Sequence, residues 1–142
     1  MNTIIAATAL AAALTAAVAG PGVASPLDGQ WRTPEANAIV QLYDCDAAVC
    51  GKLVDSDRIK ANPAVADDKN HAEALRLRPL KGLVFINGFT GGPTEWKGGS
   101  VYNPDDGGTY HGSLRLVDPD TLKLTGCIIV PLCRTDVWHR VK

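Results

Sequence analysis

Strand-length segments separated by turn residues recur at intervals near ten along residues 29–141, and no long run there carries helical periodicity. The pattern predicts strands over 29–33, 39–45, 51–55, 82–89, 95–102, 109–117, 121–127 and 135–141. Pro, Gly, Asn and Asp punctuate the boundaries at 33–37, 91–93, 103–108 and 118–120, where reversals are needed. Eight strands of this length close a small antiparallel up-and-down β-barrel. Residues 95–110 condense the logic, because Trp96, Tyr102 and Tyr110 flank a turn in which Pro104 fixes φ and Gly107 or Gly108 takes positive φ.

Two stretches depart from this regularity. Residues 56–74 are polar and longer than most connections in a compact domain, which points to a functional or mobile loop. A short helical turn over 71–78 would let part of it cap one barrel end. In the last strand, Arg134, Asp136, Trp138 and Arg140 share a face. If Trp138 points inward the charges go with it, so they must pair with each other or cap an end.

The N-terminal region is of another kind. Residues 4–18 are an uncharged Ala/Leu/Ile-rich block that ends in Ala17-Val18-Ala19, which reads as a secretory signal cleaved after Ala19 or Ala24. The block is shorter than a bilayer span needs, so no transmembrane anchor is expected. A single domain over 25–142 remains, large enough for one modest core. Its 14 Lys/Arg and 15 Asp/Glu are interspersed, which gives no electrostatic case for nucleic acid. A periplasmic location, or release from the cell, is the expected destination.

Export bears on the four cysteines, which form two close pairs, Cys45 with Cys50 and Cys127 with Cys133. An oxidising compartment favours two disulfides over a zinc site, whose ligand pairs are usually more tightly spaced. Of the three connectivities, the two local loops are favoured, because each encloses a short turn. No metal and no cofactor is expected.

Several segments together resemble a known family. They are Gly29-Gln30-Trp31, Cys45-x4-Cys50-Gly51, Asp68-Lys69-Asn70, and Leu75-Arg76-x-Arg78-Pro79-Leu80. Trp96-x-Gly98-Gly99, Tyr102-x-Pro104, Gly107-x-Thr109-Tyr110 and Cys133-Arg134-x3-Trp138-x-Arg140 belong to the same set. On these motifs the chain is similar to the family called domain of unknown function 2147. That resemblance implies a small exported bacterial protein without an established activity. The Gly-x-Trp opening and the closing Trp/Arg strand are also similar to lipocalins, in which a first-strand Trp packs under an Arg at the barrel base. This second likeness implies a fold and no particular ligand.

Three constellations follow. Trp31 with Arg140, and Trp138 beside them, reads as a structural lock between first and last strands. Trp96, Tyr102 and Tyr110 fit either hairpin packing, which is favoured, or the wall of a ligand pocket. Asp68, Asn70, Arg76 and Arg78 could read a ligand or staple their own loop, and they are the main functional candidates. Leu83, Val84, Phe85 and Ile86 would line or support a cavity with Asp68, Asn70 and Arg78 at its rim. His71, His111 and His139 have no spacing for a metal cage, and no serine sits in a nucleophile elbow, so no catalytic residue is assigned. The favoured expectation is a non-enzymatic binder of a small apolar or amphipathic ligand in a lipocalin-like barrel. The alternatives are an envelope interaction or inhibitor module with a filled barrel, and a barrel enzyme using a lone acid or base.

Overall fold

A computed structural model describes residues 23–142. The expected leader, residues 1–19 or 1–24, lies outside them except for Val23 and Ala24. Eight strands form in chain order: β1 (Gly29–Arg32), β2 (Ile39–Cys45), β3 (Ala48–Asp55), β4 (Val84–Gly91), β5 (Glu95–Asn103), β6 (Gly108–Asp118), β7 (Thr121–Ile129) and β8 (Leu132–Arg140). Each pairs antiparallel with the next, and β1 pairs with β8 at Trp31↔Arg140 and Arg32↔His139, which closes the barrel. Every predicted segment is a strand. Two hairpins are tighter than expected: Cys45↔Ala48 and Ile129↔Leu132 leave turns of two residues each, so β3 starts at Ala48 and β8 at Leu132. Cys45–Cys50 and Cys127–Cys133 are both bonded. Each therefore joins strands that already pair.

The barrel's two ends are built differently. At one end the turns are short, and the segment before β1 folds underneath. Leu27 is fully buried, and its carbonyl accepts from Trp31 Nε1 at 2.9 Å. Arg140 lies 4.3 Å from the Trp31 ring centroid. Its guanidinium donates to the carbonyls of Pro26, Asp28 and Pro119 at 2.7–2.8 Å. Gly29 leaves room for this, since a Cβ there would fall 2.9 Å from Arg140 Nη1. Trp31, Leu42, Val49, Phe89, Trp96, Leu114 and Leu122 fill the space above and form the main core.

Inside that core β4 and β5 are irregular for a packing reason. Gly88 and Gly98 have φ near +75°, and a bulge lies between Lys97 and Gly99. The Phe89 ring occupies the place a Gly99 side chain would take, with ring carbons 2.2–2.6 Å from an ideal Cβ. The bulge also shifts the alternation of β5. Trp96 and Val101, five apart, both pack on the main core, whereas Tyr102 turns to a second cluster. Trp96 and Tyr102 thus do not share the face their even spacing predicts.

The second cluster, Leu53, Ile59, Leu80 and Leu83, lies under the long connection between β3 and β4. That connection opens with α1 (Asp57–Ala61), a helix the sequence reading placed in loop. Ser56 caps it, accepting from Ile59 N at 3.2 Å, and Ile59 is its buried residue. The helical turn expected over 71–78 is a single 3-10 turn, Glu73–Leu75.

Replacing Arg140 with Lys keeps the charge but removes the planar fork that reaches three carbonyls. A loss of about 1–3 kcal/mol is expected in urea unfolding. An unchanged midpoint would show that closure does not depend on this side chain.

Candidate functional site

At the end opposite Arg140, the barrel is hollow. A cavity of about 540 Å³ opens between the β1–β2, β5–β6 and β7–β8 turns and the start of α1. Its wall is mostly apolar, with Val40, Leu53, Leu83, Phe85, Leu124 and Trp138 among the residues lining it. Polar groups collect at the mouth. Arg134 donates to Glu35 and, at 3.1 Å, to Asp136, while Arg58 pairs with Asp105 at 3.1 Å and Asp68 at 3.2 Å. The inward face of β8 thus carries its charges as pairs at the mouth, keeps Trp138 buried in the wall, and ends on Arg140 at the base. Trp138 Nε1 is buried without a hydrogen-bond partner among the described residues.

The long connection forms a polar network beside the mouth, centred on Asp67, a residue not singled out from the sequence. Ala66 bridges Pro79, and Asp67 N donates to Arg78 O at 2.9 Å, which fixes the strap on itself. The Asp67 carboxylate is fully buried. It accepts from Arg78 Nε and Asn70 Nδ2 at 2.8 Å and from the Tyr102 hydroxyl at 2.6 Å. Arg78 also stacks over Tyr102, 5.2 Å from the centroid. Each oxygen of a charge that would be costly to bury alone thus has a donor. Burial and the Asp67 carboxylate push the Tyr102 hydroxyl above its ordinary range, since both disfavour a second negative charge.

A second knot ties the strap to the β5–β6 turn. Asp106 accepts from Tyr110 at 2.5 Å, Asn103 at 3.1 Å and Gly108 N at 2.7 Å, and His71 Nε2 meets its carbonyl oxygen at 3.2 Å. Gly107 is required here, because a Cβ would lie 2.1 Å from Lys69 O. Burial pushes Asp106 up, but the bonds from Tyr110, Gly108 and Asn103 outweigh it and hold the carboxyl below its usual range. Tyr110 is raised in turn by its bond to Asp106.

The candidates predicted from sequence separate accordingly. Tyr102 and Tyr110 line the cavity. Trp96 is instead in the core at the closed end, carried there by the alternation before the bulge. Asn70 and Arg78 belong to the Asp67 network, and Arg76 Nε donates to Asn70 O at 2.8 Å, so all three bond within the strap. Asp68 is the exposed neighbour, with 67% of its side chain accessible, and it reaches Arg58 instead. Leu83 and Phe85 line the cavity, Ile86 is in the core below it, and Val84 is exposed. Arg58 and Ser56 at the mouth were not anticipated, although Ser56-Asp57 is a legible helix start. Nothing in the spacing distinguishes Asp67 from Asp68.

These features define a closed eight-stranded antiparallel barrel, locked at one end and hollow at the other. A solved structure of the same kind is protein HP1028 from Helicobacter pylori, described as belonging to the lipocalin family. The match has a TM-score of 0.75 at 24% identity and covers 82% of this chain and 83% of that one. The chain belongs to the family of uncharacterized proteins conserved in bacteria known as DUF2147, whose model matches residues 29–140. No curated protein matches it.

Two outcomes test the site. Asp67→Ala strands Arg78, Asn70 and Tyr102 and is expected to cost about 2–4 kcal/mol in chemical unfolding, against less than about 1 for Asp68→Ala. Comparable losses would remove Asp67 from the centre of the network. In an absorbance titration, Tyr102 and Tyr110 should ionise above the ordinary value of about 10. Folded-state pKa values raised in this way stabilise fully below pH ~10 and are lost as pH climbs through them, so stability should fall on the alkaline side and Tyr102→Phe should flatten that fall.

Proposed function

We propose that the protein is a non-enzymatic carrier or scavenger of a small apolar or amphipathic molecule, held in the open half of the barrel. The observation that supports this most is the apolar hollow of about 540 Å³, within the size range of small-molecule sites and ringed by polar groups only at its mouth. A filled barrel, which the interaction-module reading requires, is not what the interior offers. Tyr102 and Tyr110 are the proposed polar contacts, since both line the cavity and their hydroxyls are oriented by Asp67 and Asp106. Asn70, Arg76 and Arg78 then act on the ligand indirectly, by holding the strap that forms part of the wall. The fold similarity to a lipocalin-family barrel fits this reading.

The pKa directions do not favour Asp106, Tyr102 or Tyr110 as the lone acid or base of a barrel enzyme. A carboxyl held below its usual range is a weaker base, and tyrosines pushed upward are weaker acids, whereas catalytic groups are tuned toward the working pH. Two disulfides fit an exported protein, and the periplasm is the proposed compartment.

Ala38 lines the cavity near its mouth, so Ala38→Trp should fill it. Binding of a fluorescent fatty acid such as cis-parinaric acid should weaken at least about tenfold while circular dichroism stays native. Undiminished binding to the variant, together with no apolar adduct in native mass spectrometry, would sink the carrier reading.

A further inference from the structure

Between Cys127 and Cys133 the chain reads Ile128-Ile129-Val130-Pro131-Leu132, five apolar residues in succession. They form the tip of the β7–β8 hairpin. Ile128, Ile129, Val130 and Leu132 are 65–79% exposed, and Pro131 is exposed beside them. Contiguous exposed apolar surface is unfavourable in water and marks an interaction site. This tip cannot bury itself by folding inward. The Ile129↔Leu132 pairing and the Cys127–Cys133 disulfide fix the hairpin to its end, and Arg134, the next residue, is tied to Glu35 and Asp136.

We propose that the tip inserts into the surface of a lipid bilayer and seats the cavity mouth against it. The size of the tip selects a bilayer over a protein partner, and two further observations fix how the tip meets it. A hairpin tip of five residues falls far short of the roughly 20–30 residues a side that stable protein interfaces use, whereas a few apolar side chains suffice to reach below lipid headgroups. Ile128, Pro131 and Leu132 also line the cavity, so one hairpin connects the outer apolar surface to the apolar interior. Each arginine at the mouth sits between two carboxylates, Arg134 between Glu35 and Asp136 and Arg58 between Asp68 and Asp105, so two cations face four anions. No cationic excess is left among them to select anionic headgroups, so docking is apolar and a zwitterionic bilayer is enough. The inference rests on the exposed tip and stands whether or not the cavity holds a ligand.

The test uses a probe local to the tip, because the apolar residues 4–18 would themselves bind lipid wherever they are retained. Val130→Trp adds an indole there, while Trp31, Trp96 and Trp138 are buried. On addition of phosphatidylcholine vesicles its emission should shift to the blue, be quenched by brominated lipid and be indifferent to salt. Ala47→Trp, in the β2–β3 turn at the opposite end, should not respond. Adding Ile129→Asp to the Val130→Trp protein should weaken partitioning at least about tenfold. No shift at position 130, an equal shift at position 47, or a shift that requires anionic lipid would each overturn the proposal. So would a shift that grows with protein concentration without vesicles, which would assign the tip to a second copy of the chain.

Discussion

Everything in this barrel depends on how its first strand meets its last. The β1–β8 seam is short, with two paired positions, and a seam of that size leaves two sheet edges close to opening. Arg140 compensates from the side. Its cation rests on the Trp31 indole while its fork takes three carbonyls from two separate stretches of chain, the segment before β1 and the β6–β7 turn, so the base is sealed by one residue reaching across the seam. With the base sealed and packed, the other end does not have to be filled. The hollow is a consequence of placing the core at one end.

Charge follows the same division. The inward face of β8 carries a guanidinium at each extremity and an indole between them, and neither guanidinium is buried alone. Asp67 is the exception that makes the rule visible, a carboxylate taken wholly out of water beside the mouth. It is tolerated because three donors from two elements converge on it. The same convergence binds a long connection, which would otherwise be free to wander, against Tyr102 and the cavity wall.

Strand count and order were legible because turn chemistry marks each reversal, and the wall-lining role of Leu83 and Phe85 was legible from the apolar run they belong to. Alternation failed in β5, where the Phe89 ring demands a glycine at position 99 and the bulge beside it shifts the phase between Trp96 and Tyr102. A period-two reading has no access to that cause, which lies on the neighbouring strand. The choice between Asp67 and Asp68 was equally hidden, because it is made by the bridge from Ala66 to Pro79, a residue remote in sequence from both aspartates. Helix α1 was within reach through its Ser56 cap, but five residues carry too little periodicity to stand out.

The up-and-down order of the strands places the β1–β2, β3–β4, β5–β6 and β7–β8 connections all at the hollow end, and none of the groups that seal the base comes from them. Substitutions in those four connections can therefore reshape the mouth without spending stability on closure, since distant sites contribute independently. Exchanges confined to residues 33–37, 104–105 and 128–132 would vary the mouth on an unchanged scaffold, because they leave the Asp67 network, the Ile59 and Leu80 cluster and Gly107 untouched.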